Sequence, residues 1–302
     1  MRDAFAKTLT KIILKNKKTI LMIGDTGSGI FDEIKDRRPD QFINAGIAEA
    51  NMVTVASGLA ANGFNVFIYA IGPHVVYRAF EQIRNDLCLN KSNVKIVSIG
   101  SGLHYADHGP THHSTEDFAV LKSLPHMKIL SPAGPNDVKE MTRYLGKTAG
   151  PAYLRLGRGD DANYKKKFDI NKNKIIKKGN ALTIYATGAA VKDSYELLTN
   201  EFKNKSIELI NVNVIKPIDH KLILKSAKKN KKIIVIEEHQ KTGGLADSIF
   251  SLLTKNNIKL KKATNIGIDD VFCSYSGSYD GIKSKFKLSK KDLKNEIKKH
   301  LE

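Results

Sequence analysis

One carboxylate stands out by its position. In Phe42-Ile-Asn-Ala-Gly-Ile-Ala-Glu-Ala-Asn-Met52, Glu49 lies between two alanines at the head of an apolar run that continues through Val53, Val55, Ala56, Leu59 and Ala60 and stops at Asn62-Gly63. The spacing and the stop signal predict a helix with Glu49 in or near its first turn, where the helix dipole favours an anion. Ala48 and Ala50 leave room for a flat ligand to approach the carboxylate, and partial burial would raise its proton affinity. Taken alone, the stretch favours the plainer reading of an ordinary helix N-terminal glutamate.

A second segment supplies imidazoles, which titrate near neutral pH. Gly100-Ser-Gly-Leu-His-Tyr-Ala-Asp-His-Gly-Pro-Thr-His-His113 follows an apolar strand, Val94 to Ile99. His104, His108 and His112 fall every fourth residue, a spacing that would align three metal ligands on a helix. Gly109-Pro110 breaks such a helix, so no zinc site is expected. A third segment, Gly24-Asp-Thr-Gly-Ser-Gly29, resembles a phosphate-cradling loop. It has Asp32 where a dinucleotide fingerprint needs its last glycine, and it has no Walker lysine, so the pattern alone is weak.

These residues need a scaffold, and the chain supplies an alternating one. Residues 2 to 15 carry apolar side chains at helical spacing. Strands are expected at Thr19–Ile23, Val66–Ala70, Val94–Ile99, Lys128–Leu130 and Ala152–Leu156, with helices between most of them, which implies a mainly parallel, helix-covered sheet. From Gly157 to Asn180 the sequence turns polar and lysine-rich. Further strands at Ala181–Ala186, Ile207–Asn213 and Ile233–Glu237 then alternate with helices near Val191–Asn200, Asp219–Lys229 and Leu245–Lys255. A serine-capped helix closes the chain at Ser289–Leu301. The expected organisation is an α/β domain at 1–160, a linker at 161–180 and a second α/β domain at 181–302, each a three-layer arrangement.

Fifty basic and thirty-one acidic residues give a formal charge of +19. The lysines collect at Lys165–Lys167, Lys172–Lys178, Lys228–Lys232 and Lys283–Lys299, without a zinc-finger or RNP-type motif, so a solvated surface is expected rather than nucleic-acid binding. Attraction of an anionic substrate is a secondary expectation. Cys88 and Cys273 sit far apart in apolar contexts and read as core thiols of a reducing, cytoplasmic compartment. No secretory signal or membrane span is expected.

Asn44–Met52 together with Gly100–His113 resembles the pyrimidine-binding domain of the transketolase family. The likeness continues through Glu81-Gln-Ile-Arg-Asn85, Leu130-Ser-Pro-Ala133, Gly150-Pro-Ala-Tyr-Leu-Arg-Leu-Gly-Arg158 and, more loosely, Glu237-Glu-His239 with Gly243-Gly244. It implies a pyrimidine-binding domain followed by a transketolase C-terminal domain, with thiamine diphosphate as the cofactor that carries the difficult chemistry. Glu49 matches the family glutamate that hydrogen-bonds the pyrimidine and promotes proton abstraction. His112 matches the histidine that faces the reacting carbon, and Arg158 an arginine that binds substrate phosphate. By the same resemblance the 24–29 loop lines the substrate entrance, with Ser28 a candidate contact. An aromatic ring usually stacks on the pyrimidine. Here His74 stands near that place as the candidate, while Tyr77 and Phe80 read as core. A cofactor role for Glu237, Glu238 and His239 has little support.

Two departures bear on the substrate. His108 stands where an acidic hydroxyl-binding residue is usual, and Gly100 where a histidine helps hold the acceptor phosphate. The chain also contains no Gly-Asp-Gly, the motif with which the family holds magnesium and diphosphate through oxygen ligands. The resemblance therefore implies the C-terminal subunit of a split transketolase, moving a two-carbon ketol unit from a ketose to an aldehyde. A partner chain with the N-terminal domain would hold most of the thiamine diphosphate and the Mg2+, in a heterotetramer with two copies of each chain. Two rival readings are the β subunit of a 2-oxo-acid dehydrogenase and a catalytically silent scaffold module.

Overall fold

The computed structural model describes residues 1–161 and 168–302, so the expected Lys165–Lys167 cluster lies outside the described residues. In the first half the strands are β1 (Thr19–Ile23), β2 (Phe42–Asn44), β3 (Asn65–Ile71), β4 (Val94–Ile99), β5 (Lys128–Leu130) and β6 (Ala152–Leu156). The second half adds β7 (Lys174–Lys177), β8 (Leu182–Ala186), β9 (Ile207–Asn211), β10 (Val214–Lys216), β11 (Lys232–Gln240) and β12 (Lys262–Ile268). They form a seven-stranded sheet in the order β10-β5-β6-β4-β3-β1-β2 and a five-stranded sheet in the order β12-β11-β8-β9-β7. All neighbours are parallel except β10 on β5 and β7 on β9.

Parallel strands covered on both faces are mostly apolar, as β1 and β4 are, with Lys95 and Ser98 of β4 buried polar exceptions. Along β1, Ile20 and Met22 enter one core cluster while Leu21 and Ile23 enter another. The first of these clusters crosses between the halves, joining Ile20, Val66 and Ile96 to Ile210, Ile233, Val235 and Leu245. The two sheets are thus packed around shared apolar material, and β10 sends a strand of the second half into the first sheet.

Within the 161–180 stretch expected as a linker, Lys174–Lys177 forms β7, an edge strand of the second sheet. Its two isoleucines explain this. Ile175 packs against the shared core and Ile176 against the core on the other face. Lys174, in a cluster expected at the surface, is buried with its Nζ 2.5 Å from Asp137 Oδ1. The closing helix Lys290–Leu301 starts with the expected Ser289, whose hydroxyl and Asp292 complete a capping box. Both cysteines are buried and unpaired. Among the described residues, no helix is long and apolar enough to cross a membrane.

Candidate functional site

Every residue singled out for chemistry follows the carboxyl end of a strand in the first sheet. Ser28 follows β1, Glu49 follows β2, His74 follows β3, His108 and His112 follow β4, and Arg158 follows β6. These ends are in register: Ile23 pairs with Asn44 and Tyr69, Ile71 with Ile99, and Ile99 with Leu156. In open parallel sheets the crevice beyond such ends is where ligands bind.

Glu49 is the first residue of the helix Glu49–Ala61 and is 2% exposed. Its Oε2 accepts a hydrogen bond from Arg78 Nη1 at 2.7 Å. His74 Nδ1 lies 3.9 Å from Oε1, too far for a hydrogen bond. Gly24 faces the acid, since a Cβ there would lie 3.8 Å from Glu49 Cγ. A buried carboxylate with one oxygen lacking a donor among the described residues suits the protonated or polarised nitrogen of a flat heterocycle. Thiamine's pyrimidine ring therefore fits the residues present.

His74 lies in the short helix Gly72–Val76, its ring 5.2 Å from that of His112, edge to face. His112 in turn lies 5.1 Å from His108. His112 is held below its ordinary range, first by partial burial and then by the two neighbouring imidazoles, which favours its neutral form. Thr111 Oγ1 lies 3.0 Å from its Nδ1, and His108 Nδ1 lies 2.9 Å from Asp107 Oδ1. His113 is buried beside this row. No group of three or more His, Cys, Asp or Glu among the described residues is arranged to hold a metal ion.

Around the rest of the crevice the side chains are more open. Ser28 is exposed at the tip of the β1 loop, whose base is tied down by Asn44: Oδ1 accepts from Asp25 N (3.3 Å) and Gly46 N (3.0 Å), and Nδ2 donates to Asp25 Oδ1 (3.1 Å). Arg158 is exposed, with its guanidinium carbon 4.8 Å from the ring centre of Tyr279. Gly100 adopts φ +75°, and a Cβ there would sit 2.1 Å from the ring of Tyr105. Tyr105 thus fills the space that a side chain at position 100 would occupy.

One residue differs from its sequence reading, and others gain a structural role. Tyr77 is not core: it is 36% exposed, and its hydroxyl donates to Glu116 Oε2 at 2.8 Å, beside a cavity of about 510 Å³ that Val271 and Phe272 also line. Glu237 accepts from Leu245 N and Ala246 N at 2.5 and 2.9 Å, capping the helix that follows, and burial pushes it up to about 7. His239 stacks on Phe118 and is driven by burial down to about 4. Arg78 was missed. It lies in the turn that follows the helix Gly72–Val76, and no local pattern marks it as a partner of Glu49.

The chain is similar to known proteins along almost its whole length. The transketolase pyrimidine-binding domain model matches residues 1–161 and the transketolase C-terminal domain model residues 171–293. A putative transketolase C-terminal section of Methanocaldococcus jannaschii is 32% identical, over 98% of this chain and 95% of the relative. One subunit of the apulose-4-phosphate transketolase of Phocaeicola vulgatus is 31% identical, over 92% of this chain and 90% of the relative. A 1-deoxy-D-xylulose-5-phosphate synthase of Alkaliphilus oremlandii is 31% identical over 97% of this chain, which spans only 47% of that longer relative. Among solved structures, a split-gene transketolase described as an inactive beta4 tetramer superposes with a TM-score of 0.87 at 27% identity, covering 99% of this chain and 97% of the other.

Proposed function

From the premise that the chain belongs to the transketolase family, spanning its pyrimidine-binding and C-terminal domains, we propose that it is the C-terminal subunit of a split transketolase. The reaction is transfer of a two-carbon ketol unit from a ketose to an aldehyde acceptor. The observation that carries this reading is the buried Glu49, with one carboxylate oxygen open beside His74 and beside His112, whose neutral form is favoured. Thiamine diphosphate, when bound, supplies the carbanion equivalent that carries the two-carbon unit.

Within this chain, Glu49 Oε1 would hold the pyrimidine through a shared proton, and His74 would border it. His112, with its neutral form favoured, donates to or accepts from the substrate oxygen at the reacting carbon. His108 and Ser28 meet substrate hydroxyls, and Arg158 takes an anionic end with its planar fork. Diphosphate and Mg2+ need oxygen ligands that this chain lacks in its Gly-Asp-Gly-free sequence. They fall to a partner chain carrying the N-terminal domain, in an assembly of two copies of each. The division of this chain into residues 1–160 and 181–302 follows the same reading, with β7 joined to the second part. Buried, unpaired Cys88 and Cys273 suit a reducing cytoplasm.

The test is reconstitution with a partner chain that carries Gly-Asp-Gly, assayed for ketol transfer between phosphorylated sugars in the presence of thiamine diphosphate and Mg2+. Transfer by the mixture and not by either chain supports the assignment. Turnover confined to pyruvate as donor would replace it with a synthase-like one.

A further inference from the structure

Arg158 comes from the first half of the chain, but what holds it comes from the second. Tyr279 opens the helix Tyr279–Lys285, and its ring lies against the guanidinium at 4.8 Å. Burial and the adjoining Glu238 push the tyrosine hydroxyl far above its ordinary range, so it stays protonated and donates to Glu238 Oε1. The other oxygen, Oε2, accepts from Leu103 N at 3.3 Å, at the entry to the histidine loop. Gly102 makes that approach feasible, since a Cβ there would sit 2.7 Å from Oε2. Two more contacts brace the loop from the same side: Gly277 N donates to Ala106 O at 3.2 Å, and Ser276 Oγ to Asp107 O at 2.6 Å. Lys283 also lies near the Tyr279 ring, at 5.3 Å, but its charge is paired with Asp193 in a contact largely shielded from solvent.

A free arginine side chain samples many rotamers, and stacking on an aromatic face selects among them. Resting on the assignment of Arg158 to the substrate's anionic end, we propose that Tyr279 is a positioning residue for that contact. Its ring presents the guanidinium to the crevice, and its hydroxyl, through Glu238, locks this presentation to the histidine loop. The second half of the chain thereby takes part in selecting a phosphorylated acceptor.

The experiment compares Tyr279→Leu, Tyr279→Phe and Arg158→Ala in the reconstituted complex, with a phosphorylated and an unphosphorylated aldehyde acceptor. Tyr279→Leu is expected to raise KM for the phosphorylated acceptor about threefold to fivefold, leaving kcat and the KM of the unphosphorylated acceptor unchanged. Tyr279→Phe keeps the ring but loses the tie to Glu238, so its KM for the phosphorylated acceptor should fall between those of the parent and Tyr279→Leu. A second readout uses the chain alone. His104 is lowered to about 4, by burial first and then by Arg158, so NMR titration of its imidazole should move upward in Tyr279→Leu, in the direction of Arg158→Ala. If Tyr279→Leu does not fold, Tyr279→Met serves the same comparison. A raised KM in Arg158→Ala with none in the Leu or Met variant overturns the role of Tyr279 and leaves that of Arg158 standing. So does a His104 titration that moves in Arg158→Ala alone. An Arg158→Ala complex with no phosphate-selective effect overturns both.

Discussion

Glu49→Gln separates chemistry from architecture because the structure bounds what the substitution can do to stability. The carboxylate is buried, yet its hydrogen-bonded partner is half solvated: the Arg78 side chain is 52% exposed. A pair of that kind contributes about 1 kcal/mol or less. The amide oxygen of glutamine can still accept from Arg78, and its NH2 would take the side of Oε1, where no donor is displaced. A further cost of about 1 kcal/mol covers imperfect pairing of that amide. Together these amount to about 2 kcal/mol, which for a chain of this size lowers Tm by roughly 3 °C. Catalysis should suffer far more. Loss of a proton-transfer group costs roughly 100-fold or more, about 2.7 kcal/mol of barrier, although the protein remains folded at assay temperature. The assay is the initial rate of ketol transfer by the reconstituted complex at saturating cofactor, with a thermal melt of the same preparation. Near-full activity would make Glu49 an ordinary helix residue and refute the reasoning. A melt lowered by much more than about 10 °C would refute it from the other side, by making the carboxylate structural.

The chain alone is expected not to bind thiamine diphosphate tightly, and calorimetry giving micromolar or tighter binding without a partner would contradict the split-subunit assignment. Arg158→Ala should raise KM for phosphorylated acceptors about tenfold or more over its effect on unphosphorylated ones, and an equal effect on both would make the residue structural. The native complex should be a poor catalyst with xylulose 5-phosphate and ribose 5-phosphate, because an imidazole bonded to Asp107 replaces an acidic hydroxyl acceptor. His108→Asp should shift its preference toward that pair, and high native rates on it would end the argument. The same substitution makes a pH prediction. His112 is depressed, so its neutral form persists until pH falls below the ordinary histidine range, and the acid limb of kcat/KM lies there. Replacing His108 by an anion removes one lowering influence and adds a raising one, so the limb should move to higher pH. A limb that stays put or moves down would exclude His112 as its source.

Much of the fold was legible because buried parallel strands announce themselves. β1, β4, β5 and β6 have the expected bounds, β3 is one residue longer at each end, and β8 starts one residue later. The strands that escaped notice are short or lie at sheet edges. β2 has three residues, β7 is embedded in lysines, and β12 begins with exposed residues and becomes buried only toward Ile266–Ile268. An edge strand needs no continuous apolar run. For the crevice, sequence reading found the residues that follow strand ends in motifs. It did not find Arg78, which lies in a turn after the helix of His74, where nothing signals that a half-exposed arginine reaches a buried acid. Nor could it find Tyr279, since no local pattern joins it to Arg158, more than a hundred residues earlier. Tyr105 was in view throughout, but its role in filling the space beside Gly100 depends on how the loop folds back.

The crossing of β10 into the first sheet has a consequence for how this protein can be cut. A fragment ending at residue 160 would keep β5 with one edge stripped of its antiparallel partner, and would expose to water the face that Ile210, Ile233 and Leu245 now cover. An open edge beside an uncovered apolar face is a template for adding strands from other molecules. The second half is therefore a built-in guard against self-association as well as a brace for the crevice. A truncated first half made for binding studies would report its own aggregation before it reported any ligand.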